Sequence, residues 1–169
     1  PVLVVEGYLD VASLTQHGIS PAVATLGTAT TPAHIRQLTR LTDSIIFCFD
    51  GDRAGKAAAW KAMEAVLPHA GDKVDLKFLL LPEGEDPDSL LRSRGTNYFL
   101  DLIDQATPLS DFLLGELSNR IDLSSTDGRS RLATLTKPLF NRLPTGVYRE
   151  LLLTQLAEQV GLSKERLEG

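Results

Sequence analysis

The chain has 169 residues, of which 22 are acidic and 17 basic, so its formal net charge is −5. Hydrophobic residues make up 43% and charged residues 23% of the chain, a composition typical of a globular protein with a real core. The acidic balance argues against a free-standing nucleic-acid-binding domain, which normally carries a basic surface. The acidic balance does not exclude an enzyme that contacts nucleic acid through bound metal ions.

Cys48 is the only cysteine, which excludes an internal disulfide and a cysteine-rich zinc site and fits a reduced intracellular setting. No apolar run is long enough to span a membrane, and no signal peptide opens the sequence, so a membrane partner is not expected. Because the strand-like run starts at the second residue and no methionine precedes it, we expect the chain to be a fragment of a longer protein.

The first part of the chain alternates short apolar runs with segments of helical spacing. The predicted strands are Val2–Val5, Ala22–Leu26, Ser44–Phe49 and Val74–Leu81. The predicted helices between them are Tyr8–His17, Pro32–Leu41 and Gly55–Leu67. This alternation predicts an α/β fold with a mostly parallel sheet flanked by helices.

The strand signal ends near Pro108. Three amphipathic helices are predicted after it, over Leu109–Arg120, Asp127–Leu143 and Val147–Val160, and Ser163 is typical of a further helix start. We therefore predict a first domain over residues 1–107 and a C-terminal helical subdomain over residues 108–169.

Acidic residues follow three of the predicted strands. Glu6-Gly7 comes directly after the first strand, Asp50-Gly51-Asp52 after the third, and Asp86-Pro87-Asp88 a short turn after the fourth. Ligands of open parallel sheets bind beyond the carboxyl ends of the strands, so these side chains are expected at one edge. In an extended segment Asp50 and Asp52 would project to the same side, and Pro87 favours an extended Asp86.

Such a cluster of carboxylates repels itself unless cations neutralise it. Hard oxygen ligands with no histidine or cysteine nearby favour Mg²⁺ or Mn²⁺ over zinc. Two such ions about 4 Å apart could hold both the attacking and the leaving oxygen of a phosphoryl transfer.

Three motifs together resemble one family. They are Val4-Val5-Glu6-Gly7-Tyr8-Leu9-Asp10, Phe49-Asp50-Gly51-Asp52-Arg53-Ala54-Gly55 and Gly84-Glu85-Asp86-Pro87-Asp88. The set, with the Leu26–Thr31 loop, resembles the Toprim domain of DnaG-type bacterial primases. The resemblance extends through Leu109–Leu113 and Thr126–Arg131, and so covers essentially the whole chain.

The resemblance implies roles for individual residues. Glu6, Asp50 and Asp52 are the expected catalytic residues, with Glu6 the one named for proton handling. The expected metal ligands are Glu6, Asp50, Asp52, Asp86, Asp88 and Asp10, Asp10 lying one helical turn after Glu6. Arg53, Lys56, Gly27 and Thr28 are expected to meet nucleotide phosphates, although a charged helix start explains the first two equally well.

The same resemblance implies a DNA-templated RNA polymerase of the primase type, which makes short RNA primers from nucleoside triphosphates for DNA replication. The implied partners are a single-stranded DNA template, NTPs and the RNA primer, in the cytoplasm at the replication fork. Zinc would belong to an N-terminal domain, and the helicase contact to a C-terminal domain, both outside this chain. The isolated fragment is therefore expected to be weak or inactive in primer synthesis.

Two alternatives stay open on the sequence. One is a Toprim nuclease or topoisomerase fragment, although Tyr8, Tyr98 and Tyr148 lie in no recognisable nucleophile motif. The other is a non-catalytic Toprim repair scaffold, which would have no need to sustain the carboxylate repulsion.

Overall fold

The computed structural model describes residues 1–19, 21–25 and 31–168. The chain forms two compact units. The first consists of Pro1–Val66 and Val74–Leu109, and the second of Leu67–Lys73 and Ser110–Gly169. The sequence does not indicate that Leu67–Lys73 belongs with the helical unit.

The first unit is built on a sheet of five strands within the described residues. They are β1 Val2–Val5, β2 Ala22–Ala24, β3 Ser44–Phe49, β4 Asp75–Leu80 and β5 Thr107–Pro108. The order across the sheet is β2-β1-β3-β4-β5, with parallel pairing from β2 to β4 and an antiparallel β5 at the edge. The prediction of a mostly parallel sheet flanked by helices is confirmed.

Five helices of the first unit lie in the described residues. They are α1 Tyr8–Gln16, α2 Pro32–Leu41, α3 Arg53–Val66, α4 Pro87–Arg94 and α5 Thr96–Asp104. Helix α1 packs against α4, and α4 against α5. Their buried side chains, including Leu14, Leu90 and Phe99, form one core with Leu3 and Val5 of β1. This core fixes α1 and α4 beside the strands that precede the acidic motifs.

Helix α3 packs on β3 and β4 and also contacts α2. Phe47 and Phe78 are register partners on these two strands, and their rings stack at a centroid distance of 5.4 Å. Because successive strand residues point to opposite faces, Cys48 lies in the core on the other side, next to Phe47 in sequence. Cys48 is packed there as a small hydrophobe, with only 1% of it exposed.

Several predicted bounds differ from the observed ones. Helix α3 starts at Arg53 rather than Gly55, because Asp52 caps it. The sequence did not predict α4, α5 or β5, and Asp88 therefore lies in a helix and not in an extended segment. Helix α2 begins as predicted, with Thr31 accepting a hydrogen bond from the His34 N–H at 3.2 Å and Pro32 in the first turn.

The second unit contains four helices in the described part of the chain, α6 Leu109–Ser118, α7 Thr126–Phe140, α8 Val147–Val160 and α9 Lys164–Glu168. A short 3-10 helix, Leu67–His69, also belongs to it. Asp72 explains why: its Oδ1 accepts a hydrogen bond from the Tyr148 N–H at 2.7 Å. The start of α8 has no side-chain cap of its own at Gly146, so Asp72 supplies an acceptor from a distant part of the sequence.

Candidate metal centre

Three of the predicted acidic residues follow adjacent parallel strands. Glu6 comes directly after β1, Asp50 directly after β3, and Asp86 five residues after Leu81, which continues β4 by a hydrogen bond to Phe49. Parallel neighbours end at the same edge of a sheet, and this delivers the three carboxylates to one place. Asp10 joins them from the first turn of α1.

Glu6 and Asp50 are directly connected. The Asp50 backbone N–H donates to Glu6 Oε2 at 3.1 Å. Burial, the negative charge of Glu6 and a side-chain hydrogen bond to Glu6 raise the pKa of Asp50 to about 7, and Asp10 and Asp86 add smaller repulsions. Burial and the acidic neighbours thus favour the protonated form of the Asp50 carboxyl group near neutral pH.

The pKa of Asp10 is affected by Glu6 as well, and by Asp86. Burial and the negative charge of Asp86 raise its pKa, Glu6 adds a smaller repulsion, and backbone hydrogen bonds from Gly7 and Asp88 oppose the rise. Glu6, Asp10, Asp50 and Asp86 are therefore coupled electrostatically, and we call these four residues the carboxylate cluster.

Asp52 has a different environment. Its Oδ1 accepts a hydrogen bond from the Gly55 N–H at 2.6 Å, and the residue is exposed. The chain bends at Gly51 and Asp52, so the extended geometry that would project Asp50 and Asp52 to one side does not form. Asp52 instead lines a cavity of about 550 Å³ together with Arg53 and Lys56, the two exposed cations predicted to meet phosphates.

Asp86 is extended, as the following proline predicted, with φ −116° and ψ 172°. Its Oδ1 accepts from the Ser89 N–H at 2.7 Å, and its own N–H donates to Ser89 Oγ at 3.0 Å, so Asp86 caps α4. Asp88 sits in the first turn of that helix. Ser13 Oγ donates to Asp88 Oδ1 at 2.9 Å, and Arg92 pairs with Oδ2 at 3.0 Å.

Gly51 ties the second acidic motif to the third. Its N–H donates to the Glu85 carbonyl at 2.9 Å, and its carbonyl accepts from the Gly84 N–H at 2.8 Å. A Cβ at Gly51 would lie 1.9 Å from the Pro82 carbonyl oxygen, and one at Gly55 would lie 2.0 Å from the Asp50 carbonyl oxygen. Both positions need glycine because the backbone of another segment approaches them closely.

The donor set fits a hard divalent cation, since four coupled carboxylates supply oxygen ligands and negative charge. The described residues nevertheless hold no group of three or more His, Cys, Asp or Glu side chains already arranged around a common metal position. Gly27 and Thr28, predicted to meet nucleotide phosphates, lie outside the described residues.

Comparison with protein families decides the classification. Residues 3–91 match a family described as Toprim-like, and this match covers more than half of the chain. The chain belongs to the Toprim-like family. Its first unit therefore has the Toprim fold that the three acidic motifs predicted.

Relatives of this Toprim-like chain are bacterial DNA primases. The chain is 49% identical over 161 residues to a DNA primase of Escherichia coli K12, covering 95% of this chain and 28% of that protein. It matches the crystal structure of a DNA primase domain from Pseudomonas aeruginosa with a TM-score of 0.95 and 49% identity, covering 99% of this chain and 52% of the other. A DnaG primase catalytic domain bound to single-stranded DNA matches with a TM-score of 0.91 and 48% identity, at 98% and 52% coverage.

The Toprim-like chain thus spans a little over a quarter of the full-length relatives that it matches. Residues 110–165 match a second family, described as the DnaB-helicase binding domain of primase. This match lies inside the chain, whereas the sequence resemblance placed the helicase contact in a C-terminal domain outside it. None of the helices in the described ranges is both long and apolar enough to cross a membrane.

Proposed function

We propose that this chain is part of the catalytic core of a DNA primase, a DNA-directed RNA polymerase that joins nucleoside triphosphates into short RNA primers on a single-stranded DNA template. The observation that carries the proposal is the carboxylate cluster, three of whose four members follow neighbouring parallel strands. The similarity to DNA primases over 95% of the chain supports this reaction over DNA cleavage or a scaffold role.

Glu6, Asp10, Asp50 and Asp86 are the proposed ligands of Mg²⁺ or Mn²⁺, with two ions present when nucleotide is bound. When bound, the cations would lower the pKa of the attacking 3′-hydroxyl and neutralise charge on the triphosphate. Because Glu6 shares a hydrogen bond with the Asp50 carboxyl group, this pair is the proposed place for proton handling, with Glu6 as its acceptor. Asp52 and Asp88 stay predictions as ligands, and each already holds a structural partner.

Arg53 and Lys56 are the proposed phosphate contacts. Both are exposed at the start of α3 and line the same cavity as Asp52, so they offer positive charge beside the acidic motif. Replacing both with glutamine should weaken nucleotide binding while leaving Mn²⁺ binding intact. Loss of Mn²⁺ binding instead would mean that the two cations support the fold of the site.

A contact with a replicative helicase is proposed for the second unit, on the family match of residues 110–165. Val147 and Leu151 lie one helical turn apart on α8 and are 64% and 65% exposed, which makes them the first residues to test. The double change to serine should reduce binding to a DnaB-type helicase in sedimentation or surface-binding assays. Unchanged binding would exclude this face of α8.

The metal site is tested by calorimetric titration with Mn²⁺. Wild type should bind, and Asp50→Asn, alone or combined with Asp52→Asn, should abolish or strongly weaken binding. Asp101→Asn, which removes an exposed carboxylate on α5, is the matched control and should bind as wild type does. Equal binding by wild type and the Asp50 variants would contradict the proposed metal centre.

Primer synthesis is tested separately. Since the chain spans 28% of the relative's length, we expect weak or no synthesis from NTPs on single-stranded DNA by the chain alone. A longer primase carrying this segment should make primers, and the Asp50→Asn change in it should stop synthesis. Cleavage of DNA by wild type with Mg²⁺ would favour the nuclease or topoisomerase alternative.

A further inference from the structure

Helices α1 and α4 each carry one member of the carboxylate cluster at or next to their first turn. Asp10 lies in the first turn of α1, and Asp86 is the residue that caps α4. The two carboxylates repel each other. Without opposing contacts, this repulsion would push the starts of the two helices apart.

A side-chain hydrogen bond joins the two helices close to these residues. Ser13, three residues after Asp10 and so on the same side of α1, donates its hydroxyl to Asp88 Oδ1 at 2.9 Å. Ser13 is buried, with 6% of its surface exposed. A buried hydroxyl bonded to a charged acceptor forms a stronger and better-oriented contact than a neutral pair at the surface.

Asp88 connects this contact to the cluster. Its backbone participates in a hydrogen bond with the Asp10 carboxylate, and its side chain lies between Ser13 and Arg92. Arg92 lies 3.0 Å from Asp88 Oδ2 and supplies a positive charge beside it. Asp88 can therefore approach the four acidic residues without adding a full uncompensated charge.

We propose that Ser13, Asp88 and Arg92 act as positioning residues, which hold α1 against α4 so that Asp10 and Asp86 stay close enough to share a divalent cation. The inference rests on the metal site proposed above. It assigns to Ser13 a role in the site that its sequence neighbourhood does not indicate. It also gives Asp88 a task other than direct metal ligation.

The test is Mn²⁺ binding by calorimetry, together with the thermal midpoint of the metal-free protein. Ser13→Ala should bind Mn²⁺ about tenfold more weakly, the size of effect typical of groups that orient metal ligands. Ser13→Thr, which keeps the hydroxyl, should recover most of that affinity. The matched control is Ser93→Ala, which removes a serine hydroxyl on exposed α4 surface where it bonds the Leu90 carbonyl, and it should bind as wild type.

Arg92→Gln provides a second variant that does not disturb the core, because 71% of the Arg92 side chain is exposed. Its thermal midpoint should stay close to that of wild type, since exposed ion pairs contribute little to stability. Its Mn²⁺ affinity should fall several-fold, by the same reasoning as for Ser13. This variant decides the question if Ser13→Ala does not fold.

Two results would overturn the inference. One is a lower thermal midpoint of Ser13→Ala with Mn²⁺ affinity equal to wild type, which assigns the contact to helix packing alone. The other is unchanged affinity in Arg92→Gln. Asp50→Asn in the same series separates this failure from failure of the metal site: if Asp50→Asn loses binding and Ser13→Ala does not, only the positioning role is wrong. If wild type itself does not bind, both proposals fail.

Discussion

The backbone N–H of Asp50 donates a hydrogen bond to Oε2 of Glu6 over 3.1 Å, so the end of β3 holds the carboxylate that follows β1. This contact orients Glu6 while the Asp50 side chain bonds to it as well. The Glu6–Asp50 pair therefore carries both a negative charge and a proton at one edge of the sheet.

Stability of the metal-free protein should depend on pH through Asp50. Its pKa in the fold is about 7, above the ordinary value of 3.8, so the folded state binds more protons than the unfolded state between these limits. The stabilising contribution is complete below about pH 4, and it is lost as the pH rises towards 7. Urea unfolding at pH 5 and pH 8 should show that wild type loses stability relative to Asp50→Asn as the pH rises. If the difference in unfolding free energy between wild type and Asp50→Asn is the same at both pH values, the assigned pKa is wrong.

Metal binding should depend on pH in the opposite direction. A cation requires an ionised Asp50, so binding below about pH 7 must release a proton. The apparent affinity for Mn²⁺ should rise with pH up to about 7 and then level off. Calorimetry in buffers of different ionisation enthalpy measures the proton release. Absence of release at pH 6 would show that Asp50 is already ionised or is not a ligand.

Gly51→Ala should destabilise the fold by roughly 2–4 kcal/mol, because the new methyl group would collide with the Pro82 carbonyl and separate the second and third acidic motifs. Mn²⁺ affinity should fall with it. Gly115→Ala is the control: a Cβ there meets nothing within 4 Å, and alanine is favoured in helices by about 1 kcal/mol. Denaturant unfolding of both variants makes the comparison, and a Gly51→Ala protein as stable as wild type would refute the close-packing argument.

Asp72→Ala should destabilise the second unit by about 1 kcal/mol, because it removes the acceptor for the first-turn Tyr148 N–H of α8. Asp72→Asn keeps an acceptor oxygen and should lose less. Lys73→Ala, at the next exposed position, is the matched control. Hydrogen exchange of the α8 amides locates the effect, and equal protection in all three variants would mean that the cap contributes nothing.

The Cys48 thiol should resist alkylation. It is 1% exposed, and burial raises its pKa, so the reactive thiolate is suppressed in the native state. Iodoacetamide at pH 8 should leave the native protein unlabelled and should label it once urea has unfolded it, as mass spectrometry would record. Fast labelling under native conditions would indicate that β3 opens.

The sequence predicts those parts of the molecule that depend on local patterns. The bounds of β1, β3 and α2 follow from apolar runs and from the Thr31-Pro32 helix start. The acidic residues at the strand ends were also recognisable, since strand order places them at one edge. The prediction of an extended segment at Asp86-Pro87 omits helix α4, although this pair has the form of a helix cap followed by a first-turn proline.

The features of the site that the sequence does not predict are contacts between residues far apart along the chain. Ser13 and Asp88 are 75 positions apart, and no periodicity links them. Spacing alone pairs Asp52 with Asp50, but the Asp52 carboxylate accepts a hydrogen bond from the Gly55 N–H and so faces the start of α3. Such choices depend on how neighbouring elements pack, and a single local window contains no information on that.

The hydrogen bond between Asp72 and Tyr148 has a practical consequence for dissecting the molecule. The polypeptide passes from the Toprim unit to the helical unit after Val66, returns at Val74 and passes over again after Leu109. A peptide that starts at residue 110 would therefore lack Leu67–Lys73 and leave the first turn of α8 without its acceptor. To study the helical unit in isolation, one must therefore fuse Leu67–Lys73 to it, or express the whole chain.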